Sequence, residues 1–375
     1  MHRLANIFWL GTKELRSFAH DAFLFGFMVY SFTFMIYSQA TGISHELRNA
    51  SIAIVDQDKT PLSDRIAQAF LAPYFKPPQA ISFADVDRRM DNGGNTFVVI
   101  IPPKFEADVL AGRQPAVQVN VDATAMMQAG IGAGYIQQII SAEVNKFVYG
   151  TEETPASRVE AQIRVAFNPN MQTPWFIGVM ALLNNTTMLS IILAGAAVVR
   201  EREHGTMDHL LVMPLTPLEI ALAKVWANGL IIAITAGLSL WLVIHELLGL
   251  PITGSVPLFM TGLVLYLFFA TAVGIFLGTV ARSMPQLGLM FILIVLPMNM
   301  LSGSNTPLES MPEVLQIIMQ AVPSTHFVSI AQAILYRGAG FDIVWPRFAA
   351  VGGIGALFFG LALLRFRVMT SQALQ

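Results

Sequence analysis

Six stretches of this chain, approximately residues 21–41, 175–199, 223–247, 256–280, 286–304 and 346–364, are apolar and long enough to cross a lipid bilayer. About 20 mostly apolar residues in a helix span the roughly 30 Å of hydrocarbon. In that medium a chain must satisfy its own backbone, so a bundle of helices follows. None of the last five stretches has a charged residue near its middle. An ion at the bilayer centre costs at least about 2.5–3.5 kcal/mol, which explains the exclusion. Charged residues make up only 12% of the 375, about half the share found in soluble domains. Net charge is -2, with no basic stripe of the kind that nucleic-acid binding needs.

The first stretch has a second reading, because Ser38 and Ala40 resemble the small residues of a signal-peptide cleavage site. Its apolar part outruns the roughly 7–15 residues of a signal core. Residues 1–20 ahead of it form a long amphipathic leader. It is read as a span with a leader helix before it.

Orientation follows from the basic residues. Outside residues 42–174 there are eleven Lys and Arg. With six alternating spans, nine of them (Arg3, Lys13, Arg16, Arg200, Arg202, Lys224, Arg282, Arg365 and Arg367) fall on one side, and Arg337 and Arg347 on the other. The positive-inside rule puts both termini in the cytoplasm, together with the loop between spans two and three.

Residues 42–174 then lie outside, and they are too many for a loop. "SIAIVDQD", "TFVVIIP" and "AVQVNVD" are short β-branched runs bounded by turn residues, as strands are. "PLSDRIAQAFL" and "PPKFEADVLAG" between them have helical spacing, and residues 123–150 read as a longer helix weakened by Gly130, Gly132 and Gly134. The expected fold is therefore an α-helical polytopic membrane protein. It has six transmembrane helices and a large extracytoplasmic α/β domain between helices one and two. Between spans five and six, residues 307–341 hold two short amphipathic pieces broken at Pro323. They read as a re-entrant or interfacial pair, or else as a cap on the outer domain.

The loop "REREHGTMDHLLVMPLTPLEI" is the most specified connection in the chain. Gly205 suits a helix stop and Thr206 the cap of a short helix, with Asp208 in its first turn. Pro214 ends that helix. Thr216, Pro217 and Glu219 form a capping box that starts span three. Leu210, Leu211, Met213 and Leu215 are thus set in a charged loop with nothing nearby in sequence to cover them. Either they dip into lipid, or they form a knob that docks on a partner.

The amphipathic leader "LANIFWLGTKELRSF", one span, an outer domain opening "IAIVDQD" and five further spans together resemble the permease subunit of bacterial ABC type-2 exporters. "EREHGTMDHLLVMPLTPLEIALAKV" is similar to that family's cytoplasmic signature, and "VAFNPNMQTPWFI" is also similar to these permeases. The resemblance covers essentially the whole chain. It implies that residues 201–218 form a coupling helix seated in a groove of a separate cytoplasmic ATPase subunit. Glu201, Glu203, Gly205, Thr206, Met207, Leu210, Leu211 and Pro214 then fall on the coupling segment. It also implies a second permease, as an identical copy or a paralogue, and a periplasmic adaptor protein that the outer domain can meet. ATP and Mg would be bound by the ATPase partner, with no cofactor on this chain and lipid around it.

The residues agree that the motor lies elsewhere. A P-loop needs Gly-Lys-Ser/Thr, and none of the six lysines follows a glycine. "HELLG" and "HELRN" begin like zinc-protease motifs, but each lacks the second histidine four residues after the first. No metal or catalytic residue is therefore assigned. An intramembrane enzyme would need paired polar groups within the spans. A secondary transporter would usually carry an intramembrane acid, and an extracytoplasmic sensor remains a third alternative. In the family the two permeases meet around their second and fifth spans. On that basis Asn184, Asn185, Thr187, Pro297, Met298 and Met300 are candidates for a substrate path. The same asparagines and threonines could serve as interhelical glue.

The nine-to-two charge split is testable, because the chain has no cysteine. A single cysteine in place of Ser63 or Gln118 should react with a membrane-impermeant thiol reagent in intact spheroplasts. One in place of Thr206 or Gln372 should react only after the membrane is opened. Labelling at position 206 from outside would reverse the orientation.

Overall fold

The computed structural model describes residues 2–42, 47, 49–122, 126–150, 172–203, 215–306 and 308–373. The chain divides into two compact units, Met1–Gly42 with Ala166–Gln375, and Ile43–Val165.

The leader forms α1, His2–His20. Span one follows as α2, Ala22–Phe32, capped by the Asp21 carboxylate on the Leu24 amide, and α3, Phe34–Gly42. At the break around Thr33, the Ser31 and Phe32 carbonyls accept hydrogen bonds from Asn185 Nδ2 and Ser239 Oγ. Neighbouring helices thus satisfy backbone groups that lipid could not.

The unit Ile43–Val165 is a four-stranded sheet with helices on its faces. Its elements are β1 (Ile52–Asp56), α4 (Pro61–Gln68), β2 (Gln79–Ala80), α5 (Val86–Asp91), β3 (Phe97–Ile101), α6 (Phe105–Leu110), β4 (Gln118–Val121) and α7 (Met126–Tyr149). The strand order is β2-β1-β3-β4. β1 runs parallel to β2 and β3, with Ile52 opposite Phe97, and β4 is the antiparallel edge. Alternate residues serve two cores: Ile52, Ile54, Phe97 and Val99 pack with Leu62, Phe105 and Ile136, while Ala53, Val55 and Val98 pack with Val86. The "VDQD" of β1 is structural. Asp56 accepts the amides of Asp58 and Lys59, and Asp58 takes those of Phe105 and Glu106 at the start of α6. The glycines of α7 have a packing reason at Gly132, where a Cβ would lie 2.2 Å from the Phe97 ring.

The remaining elements are α8 (Thr173–Glu203), α9 (Pro217–Ser239, continued by a π-helical Leu240–Leu247), α10 (Val256–Val280), α11 (Met284–Met300), α12 (Glu313–Gln320), α13 (Pro323–Ala331, continued by Gln332–Tyr336) and α14 (Phe341–Ala373). The capping box expected at the start of span three is present, with Thr216 at the cap, Pro217 inside and Glu219 closing it.

α8 and α10 form the centre of this unit. Their backbones touch along a small-residue seam. A Cβ on Gly274 would lie 2.3 Å from the Ile191 carbonyl, and one on Gly278 2.7 Å from the Gly195 carbonyl. Lipid tails are as apolar as leucine, so close backbone contact of this kind is a main source of helix association in a bilayer. Beside the seam, Thr187 Oγ1 and Tyr266 Oη share a hydrogen bond of 2.8 Å, and Tyr266 stacks on Phe327. At the end of α8 remote from Glu203, Trp175 Nε1 donates to the Leu248 carbonyl and Tyr336 Oη donates to the Trp175 carbonyl.

Among the described residues, five helices are long and apolar enough to cross a membrane: Ala22–Gly42, Thr173–Glu203, Pro217–Leu247, Val256–Val280 and Phe341–Val368. The stretch expected as a span over 286–304 is instead a 17-residue helix, Met284–Met300. At 1.5 Å per residue it is about 26 Å long, at the short limit for crossing. It stops at Met300 because the hydroxyls of Ser302 and Ser304 both donate to the Asn299 carbonyl, and Gly303 turns the chain at φ +91. The helix runs unbroken through Pro297. A sixth crossing would come from the pair Glu313–Gln320 and Pro323–Tyr336, bent by 86° at their junction.

Candidate functional site

The apolar knob of the 204–214 loop, with Gly205, Thr206, Met207, Leu210, Leu211 and Pro214, lies outside the described residues. What the structure defines is where that loop is rooted.

The root is the last turn of α8. Arg200, Glu201, Arg202 and Glu203 are consecutive, so on a helix they point about 100° apart. Each meets a different place. Arg200 Nη1 lies 3.9 Å from the Asp21 carboxylate between α1 and α2. Glu201 Oε1 lies 2.8 Å from Lys224 Nζ on α9. Arg202 donates to the Ala281 carbonyl after α10, and Glu203 Oε1 accepts the Met284 amide that opens α11. Four contacts in four directions fix this turn against its surroundings.

Lys224 is the centre of the arrangement. It is the eighth residue of α9, about 10 Å along the helix axis, and its side chain is only 1% exposed. An unpaired ammonium there would be prohibitively costly, so burial demands carboxylates. It has two, Glu201 at 2.8 Å and Glu14 Oε1 from the leader at 3.0 Å.

The leader is held along the same helix by further contacts. Asn6 Nδ2 donates to Glu219 Oε1, and Trp226 Nε1 donates to the Ile7 carbonyl. Phe8 stacks on Trp226. Only a glycine allows the approach, since a Cβ on Gly11 would fall 2.2 Å from the Trp226 ring. α1, α8 and α9 are therefore one assembly at the point where the loop leaves and returns.

The path candidates divide. Asn185 is buried and donates to Ser31 across to span one, and Thr187 is buried between the Leu183 carbonyl and Tyr266. Asn184 is half-buried on another side of α8. On α11, Pro297 and Met300 are exposed and Met298 packs partly into the core. The structure brings α8 and α11 together. It gives Asn185 and Thr187 bonding roles inside the bundle. His245 of the "HELLG" stretch bonds the Leu250 carbonyl at the end of α9. Among the described residues no group of three or more His, Cys, Asp or Glu could hold a metal ion.

In the sequence Lys224 is only one more positive charge on its side. Its signal was present: a lysine set inside an otherwise apolar helix needs partners. Which carboxylates serve it could not be read, because Glu14 lies 210 residues away.

Residues 22–364 match the family described as ABC-2 family transporter protein. The chain is 55% identical over 367 residues, 98% of each chain, to the inner membrane transport permease YhhJ of Escherichia coli (strain K12). It is 29% identical to the probable multidrug ABC transporter permease YbhR of the same strain, over 312 residues covering 80% of this chain and 81% of that one. With the probable multidrug ABC transporter permease YbhS it shares 26% identity over 269 residues, 71% of each.

The ion triad makes a quantitative prediction. Lys224→Met leaves two carboxylates facing each other in a buried site, a loss of about 3–5 kcal/mol. The detergent-solubilised protein should show a clearly lower thermal unfolding midpoint. The triple change Glu14→Gln, Glu201→Gln, Lys224→Met should recover most of it, since no buried charge remains uncompensated. A Lys224→Met protein as stable as the wild type would show that the triad does not hold the leader.

Proposed function

The chain belongs to the ABC-2 transporter family and is a transport permease subunit, and from that premise we propose how it works. It forms the membrane path of an ATP-driven exporter in the bacterial inner membrane, with both termini cytoplasmic. A separate ATP-binding subunit, which the family implies, holds ATP and Mg and docks on residues 204–214.

The observation that carries this reading is the four-way anchoring of residues 200–203. A tether needs no such root, whereas a lever does. Force applied to a docked Leu210–Leu211 knob enters α8 directly. From there it reaches α1 and α9 through Glu201 and Lys224, and the α10–α11 link through Arg202 and Glu203. Glu201 and Glu203 thus act within the chain, positioning the root, while the apolar residues of the loop make the contact with the partner.

The rest of the transporter follows the family arrangement. A second permease, identical or paralogous, would meet the exposed apolar face of α11, where Leu289, Ile292, Leu293 and Met300 are uncovered. Pro297 and Met300 are then the path candidates on that face, Met298 is turned partly into the core, and Asn184 is a candidate by the family arrangement. Asn185 and Thr187 support the wall from behind. The unit Ile43–Val165, placed outside the membrane by the charge split, is the surface available to a periplasmic adaptor. Apolar compounds are the substrate class that suits such a lining, in line with the multidrug names of two relatives.

Leu211→Asp tests the docking. A charge forced into an apolar groove would be desolvated and unpaired, at a cost of several kcal/mol. The variant should insert normally, as judged by membrane yield, and lose the ATPase subunit from the purified complex or lose export. Wild-type assembly and export would reduce the loop to a tether or a lipid-facing segment.

A further inference from the structure

A cavity of about 270 Å³ opens beside the ion triad, between α1, α8 and α9 and the start of α2. Its wall mixes two kinds of chemistry. Lys13, Arg200 and Asn228 supply polar groups, and Phe18, Leu24 and Leu193 supply apolar surface. Glu14 and Glu201 also border it, with one oxygen of each on Lys224.

Asn228 is the informative residue. It sits one helical turn beyond Lys224 on α9, is only 8% exposed, and its Nδ2 finds no hydrogen-bond partner among the described residues. Buried amides are nearly always bonded, so one bordering a cavity points to an acceptor supplied by something bound there. Lys13 and Arg200 add positive charge nearby, which suits a phosphate oxygen. The Asp21 carboxylate beside Arg200 and the Glu14 and Glu201 carboxylates, which share Lys224, offset that charge. The site as a whole therefore favours a head group that carries a cation of its own over a multiply anionic one. The space is smaller than the roughly 300–1,000 Å³ that encloses a drug-sized ligand. It suits a head group whose remaining length lies elsewhere, along the apolar wall.

We propose that this cavity binds the head group of a zwitterionic phospholipid. Its phosphodiester is held by Lys13, Arg200 and Asn228, and its first acyl carbons lie on Phe18, Leu24 and Leu193. The lipid is then a structural part of the junction between leader and bundle. The site shares Arg200 with the root of the loop, but it does not rest on the transport reading and its test does not require export.

The purified full chain, carried with its ATPase subunit where that copurifies, would be analysed by native mass spectrometry. Phosphatidylethanolamine, phosphatidylglycerol or soluble glycerophosphoethanolamine would be added in separate arms. One tightly retained phosphatidylethanolamine per chain is expected, at least tenfold weaker in Asn228→Leu and in the cavity-filling Ala197→Trp. Leu361→Ala, exposed on α14, should retain it like wild type. Because a cavity-filling variant can fail to fold, the unmodified protein would also be labelled with a photoactivatable phosphatidylethanolamine. Adducts should fall in residues 13–24 and 193–201. Equal retention of phosphatidylglycerol, equal retention by all variants, binding of the soluble head group alone, or adducts elsewhere would each overturn the proposal.

Discussion

A lysine with almost no exposed surface sets the terms for one end of this membrane bundle. Lys224 lies inside α9, and only paired carboxylates make that tolerable. Because Glu14 belongs to the leader and Glu201 to the end of α8, satisfying one charge fixes three elements together. The leader cannot drift from α9, and α8 cannot rotate, without exposing the ammonium to apolar surroundings. The loop that leaves α8 two residues after Glu201 therefore starts from a fixed direction.

The other constraints in the bundle carry that direction onward. The glycine seam of Gly195, Gly274 and Gly278 brings the α8 and α10 backbones into contact, where side chains could not adjust to a shift. Beyond it, Asn185 and Thr187 bond span one and Tyr266 to the same helix. At the far end, Trp175 bonds Leu248 and Tyr336. α8 is thus bonded at several levels to α2, α9 and α10, to the start of α11 and to Tyr336 after α13. A displacement at its loop end would be shared by the bundle, and this makes a docking loop at that end mechanically useful to a transporter.

Much of this was legible in the sequence, because the bilayer leaves few choices. Long apolar stretches marked four of the spans nearly to their ends, and Thr216, Pro217 and Glu219 announced the start of span three through local capping chemistry. Short β-branched runs bounded by turn residues gave β1, β3 and β4. β1 up to Val55 and β3 are apolar throughout because their two faces serve separate cores, while β4 packs Val119 and Val121 into one of them. The stretch over 286–304 was overestimated. Hydropathy does not register that Ser302 and Ser304 can cap a helix early, or that Gly303 can turn it. β2, two residues long, carries no pattern to detect. The ion triad and the Asn185 bond to Ser31 were hidden for a different reason. Their partners are distant in sequence and are chosen by packing, not by spacing. The path candidates came from the family arrangement, and helix spacing alone sets Asn184 and Asn185 about 100° apart, but only the bundle shows that Asn185 is the one bonded to span one.

The most direct test of the account is to ask what the loop touches. A photoreactive amino acid in place of Leu211, in cells expressing the complete transporter, would capture its neighbour at the moment of illumination. The account predicts an adduct between this chain and a cytoplasmic ATP-binding subunit, lost when a charge replaces Leu210 beside it. Adducts confined to lipid, with no ATP-binding protein captured, would contradict it.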